Sequence, residues 1–288
     1  MNILLFKVYI ILAKPESTEG AGIPCVYALL PNKEMATYLK MFSIIKEHLG
    51  DCSKLSTIIS DFERAVFQAV YRVFPGIEQR GCRFHFNSAV WKNIGEKGLQ
   101  SLFYQNPSFQ EVFYMLCGLA YVPVDKVQTF YKDYIEKQIE QTLEKDEEWA
   151  DFEEEIQAFV VYFRKTWIER RGGNSALFAP NLWNQYETIL QGGPQTNNML
   201  ESYNRTLNSL VGAKTNVWDF LKLVISQEAN TRRVFLSNSV GQDLRGNTGR
   251  KQAALDNIQR IKYLVTSFNT TPPQEYIQMI GHELQRGS

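Results

Sequence analysis

The chain has 288 residues, of which 44% are hydrophobic and 13% aromatic. That is enough apolar side chain to bury a large core, as one domain with an insertion or as two domains, and it excludes disorder as the default state. Lys+Arg and Asp+Glu each number 31, so the formal net charge is zero and no bulk basic field draws in nucleic acid; such binding needs local patches.

The first segment, residues 3–13, is a β-branched and aromatic run, and CVYALLP at 25–31 is another. The turn-rich KPESTEGAGIP joins them, which predicts a hairpin. The opening MNILLFKVYIILAKP is not expected to be a signal peptide, because Lys7 interrupts it and no small-residue cleavage pattern follows. It is also too short to span a bilayer, and no membrane partner is expected. From 33 to 49 the period changes, with Met35, Tyr38, Leu39, Phe42, Ile45 and Leu49 at helical spacing up to Gly50. A strand is expected over 55–60, a helix over 62–73 halted by Pro75, a strand over 77–84 and a helix over 85–97. From Leu99 strands are expected to disappear. Helical periodicity covers 109–119, 125–143 and 147–168, RRGGN at 170–174 ends that stretch, and 180–190, 198–210, 217–237 and 253–266 read as further helices. The order β-β-α-β-α-β-α followed by helices predicts an α/β piece whose sheet mixes a hairpin with crossover-linked strands, then a helical piece.

The charges are segregated along the chain. Ten acids lie between Glu136 and Glu155 against Lys137 and Lys145, whereas Glu201–Lys262 holds ten bases and five acids. Each charge by itself reads as part of a solvated helix face; the reversal of sign also points to a polyanion near the C-terminal part. The four cysteines, 25, 52, 82 and 117, form no CxxC and suit free thiols in a reducing compartment.

Three constellations carry candidate chemistry. Asp61 follows the apolar strand LSTIIS, at the strand end where open α/β sheets present ligand-binding groups. Glu201 lies near the start of a helix introduced by TNN at 196–198. Ser60-x-x-Glu63 and Asn198-x-x-Glu201 also fit the capping box, in which the acid serves a free helix amide. Cys82 and His85, in RGCRFHF, admit three readings. A zinc site needs four ligands, and His48 and His282 supply no second closely spaced pair. A Cys nucleophile with a His base needs spatial pairing that spacing does not establish. The third reading is a buried thiol and a hydrogen-bonded imidazole where strand meets helix.

Taken together, IPCVYALLPNKEMATYLKMF (23–42), IISDFERAVFQAVYRVFPGIEQRGCRFHF (58–86), the Trp167 and Trp183 region and TNNMLESYNRTLNSLVGAKTNVWDFLKLVISQE (196–228) resemble the transposase domain of Mutator-like elements, the MULE family of RNase H-like DDE transposases. The resemblance implies an RNase H-like mixed sheet over 1–98 and 191–240, a large all-helical insertion over 99–190 and a helical C-terminal part over 241–288. It implies that Asp61 is the second catalytic aspartate and Glu201 the terminal glutamate, both ligands of Mg²⁺ or Mn²⁺ if an intact site exists, with no zinc from this chain alone. Cys82 and His85 match the family's C-x-x-H signature and, with Asn197 and Asn198, support the site. Arg205, Lys214, Arg232 and Arg233 are the expected DNA contacts. The implied partner is DNA at transposon ends, in the nucleus, and a homo-oligomer is compatible.

The family's first catalytic aspartate stands in a D-G-T-F-like segment on a first strand ahead of LFKVYIIL (5–12), and this chain has no Asp before Asp51. The expectation is therefore a sheet lacking its first strand, in a truncated or decayed copy that is inactive as it stands. The alternative is a domesticated, non-catalytic DNA- or protein-binding regulator.

Overall fold

The computed structural model describes residues 7–13, 22–170, 174–192, 198–211, 216–239 and 249–287. In chain order, β1 (Lys7–Ala13), β2 (Ile23–Leu30), α1 (Met35–Leu49), β3 (Thr57–Ser60), α2 (Arg64–Val73), β4 (Glu78–Gly81) and α3 (Arg83–Glu96) follow the predicted alternation. Helices come next: α4 (Gln100–Gln105), α5 (Pro107–Gly118), α6 (Val127–Phe130), α7 (Lys137–Leu143), α8 (Glu147–Ala150) and α9 (Glu153–Phe163). Two short strands, β5 (Glu169–Arg170) and β6 (Asn174–Ser175), precede α10 (Pro180–Trp183), α11 (Tyr186–Leu190), α12 (Asn198–Leu210), α13 (Val217–Ser239), α14 (Gly249–Thr266) and α15 (Pro273–Arg286). The molecule is mixed α/β, and among the described residues its strands form three two-stranded sheets, β1-β2, β3-β4 and β5-β6.

The chain divides into two packing units, residues 1–79 with 197–247 and residues 80–196 with 248–288. Packing thus groups α3 and the last two helices with the helical unit, whereas the sequence reading draws its limits at 98 and 241.

In the first unit the β1-β2 hairpin is antiparallel, with Lys7 opposite Leu30, and its register shifts between Ile11 and Leu12. Alternation along the strands sends side chains to both faces. Tyr9, Ile11, Ala28 and Leu30 pack with the α1 and α2 residues Tyr38, Met41, Phe42, Val66, Ala69 and Val70. Ile10 and Leu29 instead join Leu207 of α12 and Phe220 of α13. The hairpin is therefore covered by helices on both faces. Gly50, at φ 61°, adopts the left-handed conformation that ends α1, and its amide bonds the Lys46 carbonyl at 3.1 Å. The Lys46 ammonium donates to the Val73 carbonyl at 2.7 Å, placing a cation at the C-terminal end of α2.

In the helical unit, α5 begins with a capped turn: Asn106 Oδ1 accepts the amides of Ser108 and Phe109 at 3.1 and 3.2 Å, and Pro107 occupies the first turn. Helices α5 and α15 pack closely because Gly118 and Gly281 lie at their contact. A Cβ at Gly281 would stand 3.2 Å from the Met115 backbone nitrogen and 3.3 Å from the Tyr114 carbonyl carbon. Backbone atoms cannot swing away, so Gly281→Ala is expected to destabilise this unit by about 1–3 kcal/mol, read as a lowered urea midpoint at unchanged slope.

Several elements depart from the sequence expectations. The stretches 125–143 and 147–168 are not continuous α-helices; π-helical turns occupy Tyr131–Glu136 and Arg164–Ile168. These turns let Tyr131 stack on Phe163 at 5.7 Å and Arg164 reach Glu136 at 3.5 Å. Strands do not vanish after Leu99, since β5 and β6 pair as Glu169↔Ser175 and Arg170↔Asn174 around RRGGN. The 180–190 helix breaks at Asn184, whose side-chain amide donates to the Val122 carbonyl at 2.6 Å. That bond satisfies a buried carbonyl that a continuous helix would leave without its partner.

Candidate functional site

Asp61 is exposed, one residue beyond β3 and three before α2. Its carbonyl accepts the Glu63 amide at 2.7 Å, closing a three-residue turn, and the Ser60 hydroxyl at 3.3 Å. Glu63 occupies the N-cap position of α2, yet its side chain makes no capping bond, so Ser60 and Glu63 do not form the capping box their spacing suggests. The Glu63 carboxylate faces another partner: it accepts the Lys33 ammonium at 3.2 Å. Tyr38 is 2% exposed, and Tyr9 meets it edge-on with ring centroids 5.6 Å apart.

The electrostatics of this cluster are one-sided. Burial raises the Tyr9 hydroxyl well above the usual phenol range, and the charges of Asp61 and Glu63 add to that. Burial likewise raises Tyr38, followed by the influence of the Glu63 carboxylate. Both phenols therefore stay neutral donors beside the two carboxylates.

Helix α12 lies against β2 in the same unit, where the hydroxyls of Tyr203 and Tyr27 share a hydrogen bond and Leu207 is 4% exposed. Glu201 and Asn198 lie on α12, but their side chains are outside the described residues, as are Asn197 and Lys214 altogether. Arg205, Arg232 and Arg233 are exposed, and Arg233 donates to Asn230 Oδ1 at 2.9 Å. The carboxylate of Asp61 is a hard oxygen donor open to solvent, which fits Mg²⁺ or Mn²⁺ in kind. Among the described residues no group of three or more His, Cys, Asp or Glu assembles, so the fit reaches donor type and exposure and no further.

In the other unit, Cys82 is fully buried at the start of α3, and His85 meets Phe84 edge-on at 5.6 Å. The thiol answers to the packing reading. Phe86, next to His85, stacks flat on Trp183 at 4.7 Å and meets Trp167 edge-on at 4.9 Å. RGCRFHF thus anchors an aromatic core. Cys117 is also buried, and desolvation pushes its thiol up to about 12 even though Arg83 acts in the opposite direction. Thiolates are the reactive form, so the exposed Cys25 is expected to alkylate first, with Cys82 and Cys117 silent until unfolding. Mass-resolved labelling with iodoacetamide at neutral pH checks this. Rapid, selective labelling of Cys82 would revive the thiol-hydrolase reading.

Glu63, Tyr9 and Tyr38 are the site residues that sequence reasoning missed. Glu63 stood in a capping pattern, and nothing local marks Lys33, 30 residues away, as its partner.

Residues 5–89 match the family model described as the MULE transposase domain. The matched span contains Asp61, Cys82 and His85; Glu201 lies beyond it. No curated protein and no solved structure matches the chain.

Proposed function

Residues 5–89 match the MULE transposase domain, and on that premise we propose that the chain is a transposase-type, DNA-processing protein of RNase H-like architecture acting at transposon ends. The observation that carries this reading is the position of Asp61: an exposed carboxylate at the C-terminal end of β3, inside the matched span. The helix-covered hairpin of the same unit supports it, since RNase H-like sheets are covered in this way.

In this reading Asp61 and Glu201 would hold Mg²⁺ or Mn²⁺ in an intact site, where the metal would supply activation of the attacking oxygen and stabilisation of the leaving oxygen in an in-line phosphoryl displacement. The chain's own residues do the positioning. The β3-α2 turn presents Asp61, and the Tyr203–Tyr27 contact holds the helix that carries Glu201 against β2. Exposed Arg205, Arg232 and Arg233 neutralise backbone phosphates, which positions DNA without reading its sequence. Cys82 and His85, with Asn197 and Asn198, are the residues that match the supporting positions of the family pattern. A nuclear location and a homo-oligomer belong to the same reading. Among the described residues no helix is long and apolar enough to cross a membrane.

The test is to incubate the full chain with duplexes carrying the element's terminal repeats or a scrambled sequence. Preferential binding whose affinity falls with salt is the expected result for this chain, and Mg²⁺-dependent cleavage at the repeat end is expected when a first strand carrying the D-G-T-F-like aspartate completes the site. Binding without cleavage even then favours a domesticated, non-catalytic regulator instead. Absence of both removes the transposase reading and the DNA-binding regulator.

A further inference from the structure

Helix α13 has two apolar faces, and its own unit covers one of them. On the inner face Phe220 is buried with Leu207 of α12, and Leu223, Val224 and the hairpin residues Ile10 and Leu29 pack against that pair. On the outer face Trp218, Leu221 and Ile225 recur at intervals of three and four residues, which lines them up along the helix. They are 71%, 39% and 67% exposed. A single exposed apolar side chain is ordinary, whereas three in line with a tryptophan among them form a stripe of the kind that interaction surfaces carry. Further along, the helix has little packing of its own: of residues 228–233 only Thr231 is not exposed. A helix without tertiary packing is marginal in water, so a second helix laid along the stripe supplies what the unit does not.

Charge decides which helix fits. Lys222, Glu228 and Arg232 lie along the edges and far end of the stripe. A second α13 laid antiparallel, with the two-fold axis at the level of Ile225, sets Ile225 beside its own copy, Leu221 level with Ala229, Lys222 with Glu228, and Trp218 with Arg232. Each charge then meets an opposite charge or an indole, and the aliphatic stem of Arg232 lies along the ring while its guanidinium stays at the rim, open to phosphate. A parallel pair would set Lys222, Glu228 and Arg232 each against its own copy, which like-charge repulsion disfavours. Lys222 meets Asp219 at 3.8 Å within its own helix, but that pair is exposed on both sides and holds the ammonium weakly.

We infer that the outer face of α13 is a self-association surface, occupied by the same face of a second copy in antiparallel register. The inference goes beyond the DNA reading and rests on neither Asp61 nor a metal. A stripe this short buries less than the roughly 1,200 Å² of a standard interface, so the dimer is a weak one, with a dissociation constant on the order of 10 µM.

The experiment is sedimentation equilibrium of the full chain without DNA from about 1 to 200 µM, with hydroxyl-radical footprinting of Trp218 over the same range. A reversible monomer–dimer equilibrium is expected, with Trp218 protected as the dimer forms. Ile225→Asp sets two carboxylates at the two-fold axis and is expected to weaken the dimer at least about tenfold. The melting temperature of the monomer should not change, because Ile225 is exposed. Lys222→Glu and Glu228→Lys are each expected to weaken the dimer about threefold to tenfold, and the double swap to return it to within about threefold of the unaltered chain. Ile44→Asp, at an exposed apolar position on α1, is expected to leave the dimer unchanged. A chain that stays monomeric throughout overturns the inference; Trp218 protected in that monomer assigns the stripe to another segment of this chain, and Trp218 reactive assigns it to a different partner or to none. A dimer indifferent to Ile225→Asp, or equally weakened by Ile44→Asp, overturns it by placing association elsewhere. Weakening by the single swaps without rescue by the double overturns the antiparallel register.

Discussion

In a protein whose site is completed by the first aspartate of the family pattern, Asp61→Ala is expected to abolish Mg²⁺-dependent cleavage of terminal-repeat DNA, a loss of about a thousandfold or more. A thousandfold corresponds to about 4 kcal/mol of transition-state stabilisation, the scale of removing a ligand from a metal that carries developing charge. The same substitution should leave the fold almost untouched. Asp61 is exposed, and its structural contribution to the turn is its backbone carbonyl, which alanine retains. Exposed substitutions of this kind change stability by about 0.5 kcal/mol or less, so the melting temperature and the affinity for DNA serve as internal controls. Cleavage persisting in Asp61→Ala at the rate of the unaltered chain would sink the assignment of Asp61. Loss of DNA binding together with cleavage would show instead that the substitution acts on folding or on the DNA contact.

The second large effect is structural. Phe86→Ala is expected to cost the helical unit about 3–5 kcal/mol, as emptying a fully packed aromatic site generally does. Phe86 is 0% exposed and touches three aromatic rings: Trp183 stacked at 4.7 Å with planes 3° apart, Trp167 edge-on at 4.9 Å, and Phe163 at 6.4 Å. These rings are themselves pinned, since the Trp183 indole N–H donates to the Trp167 and Phe178 carbonyls, each at 3.2 Å. A pinned wall cannot collapse into the space that alanine leaves, which places the cost toward the upper end. At the usual scale for a unit of this size the melting temperature falls by roughly 6–20 °C. Phe84, two residues earlier and 44% exposed, supplies the control. Phe84→Ala should cost about 1 kcal/mol or less, and equal losses at both positions would contradict the role given to Phe86.

The two variants also separate the parts of the segment 58–86 that looked alike in sequence. SDFERA and RGCRFHF both stand at a junction of strand and helix, and both carry residues of the types found in active sites. In the structure the first presents an exposed carboxylate on a turn closed by the Glu63 amide. The second buries its thiol and sends its neighbouring aromatic ring into a core.

Much of the local structure was legible in the sequence. The hairpin, α1, α2 and α3 follow from alternation of period two, helical spacing and the stops at Gly50 and Pro75, because each is decided by residues within a few positions of one another. The position of Asp61 at a strand end follows in the same way. Tertiary structure alone decided which contacts those elements make. The Tyr27–Tyr203 bond spans 176 positions and Lys33–Glu63 spans 30, and no local pattern encodes such pairings. Breaks inside the long helical stretches were also hidden, since the π-helical turns at 131–136 and 164–168 keep helical spacing while shifting side chains toward partners on another helix. Sequence by itself determined the kinds of element and the identity of the exposed acid; tertiary structure determined that Glu63 pairs with Lys33 and that Phe86, beside His85, fills a core, because both depend on residues distant along the chain.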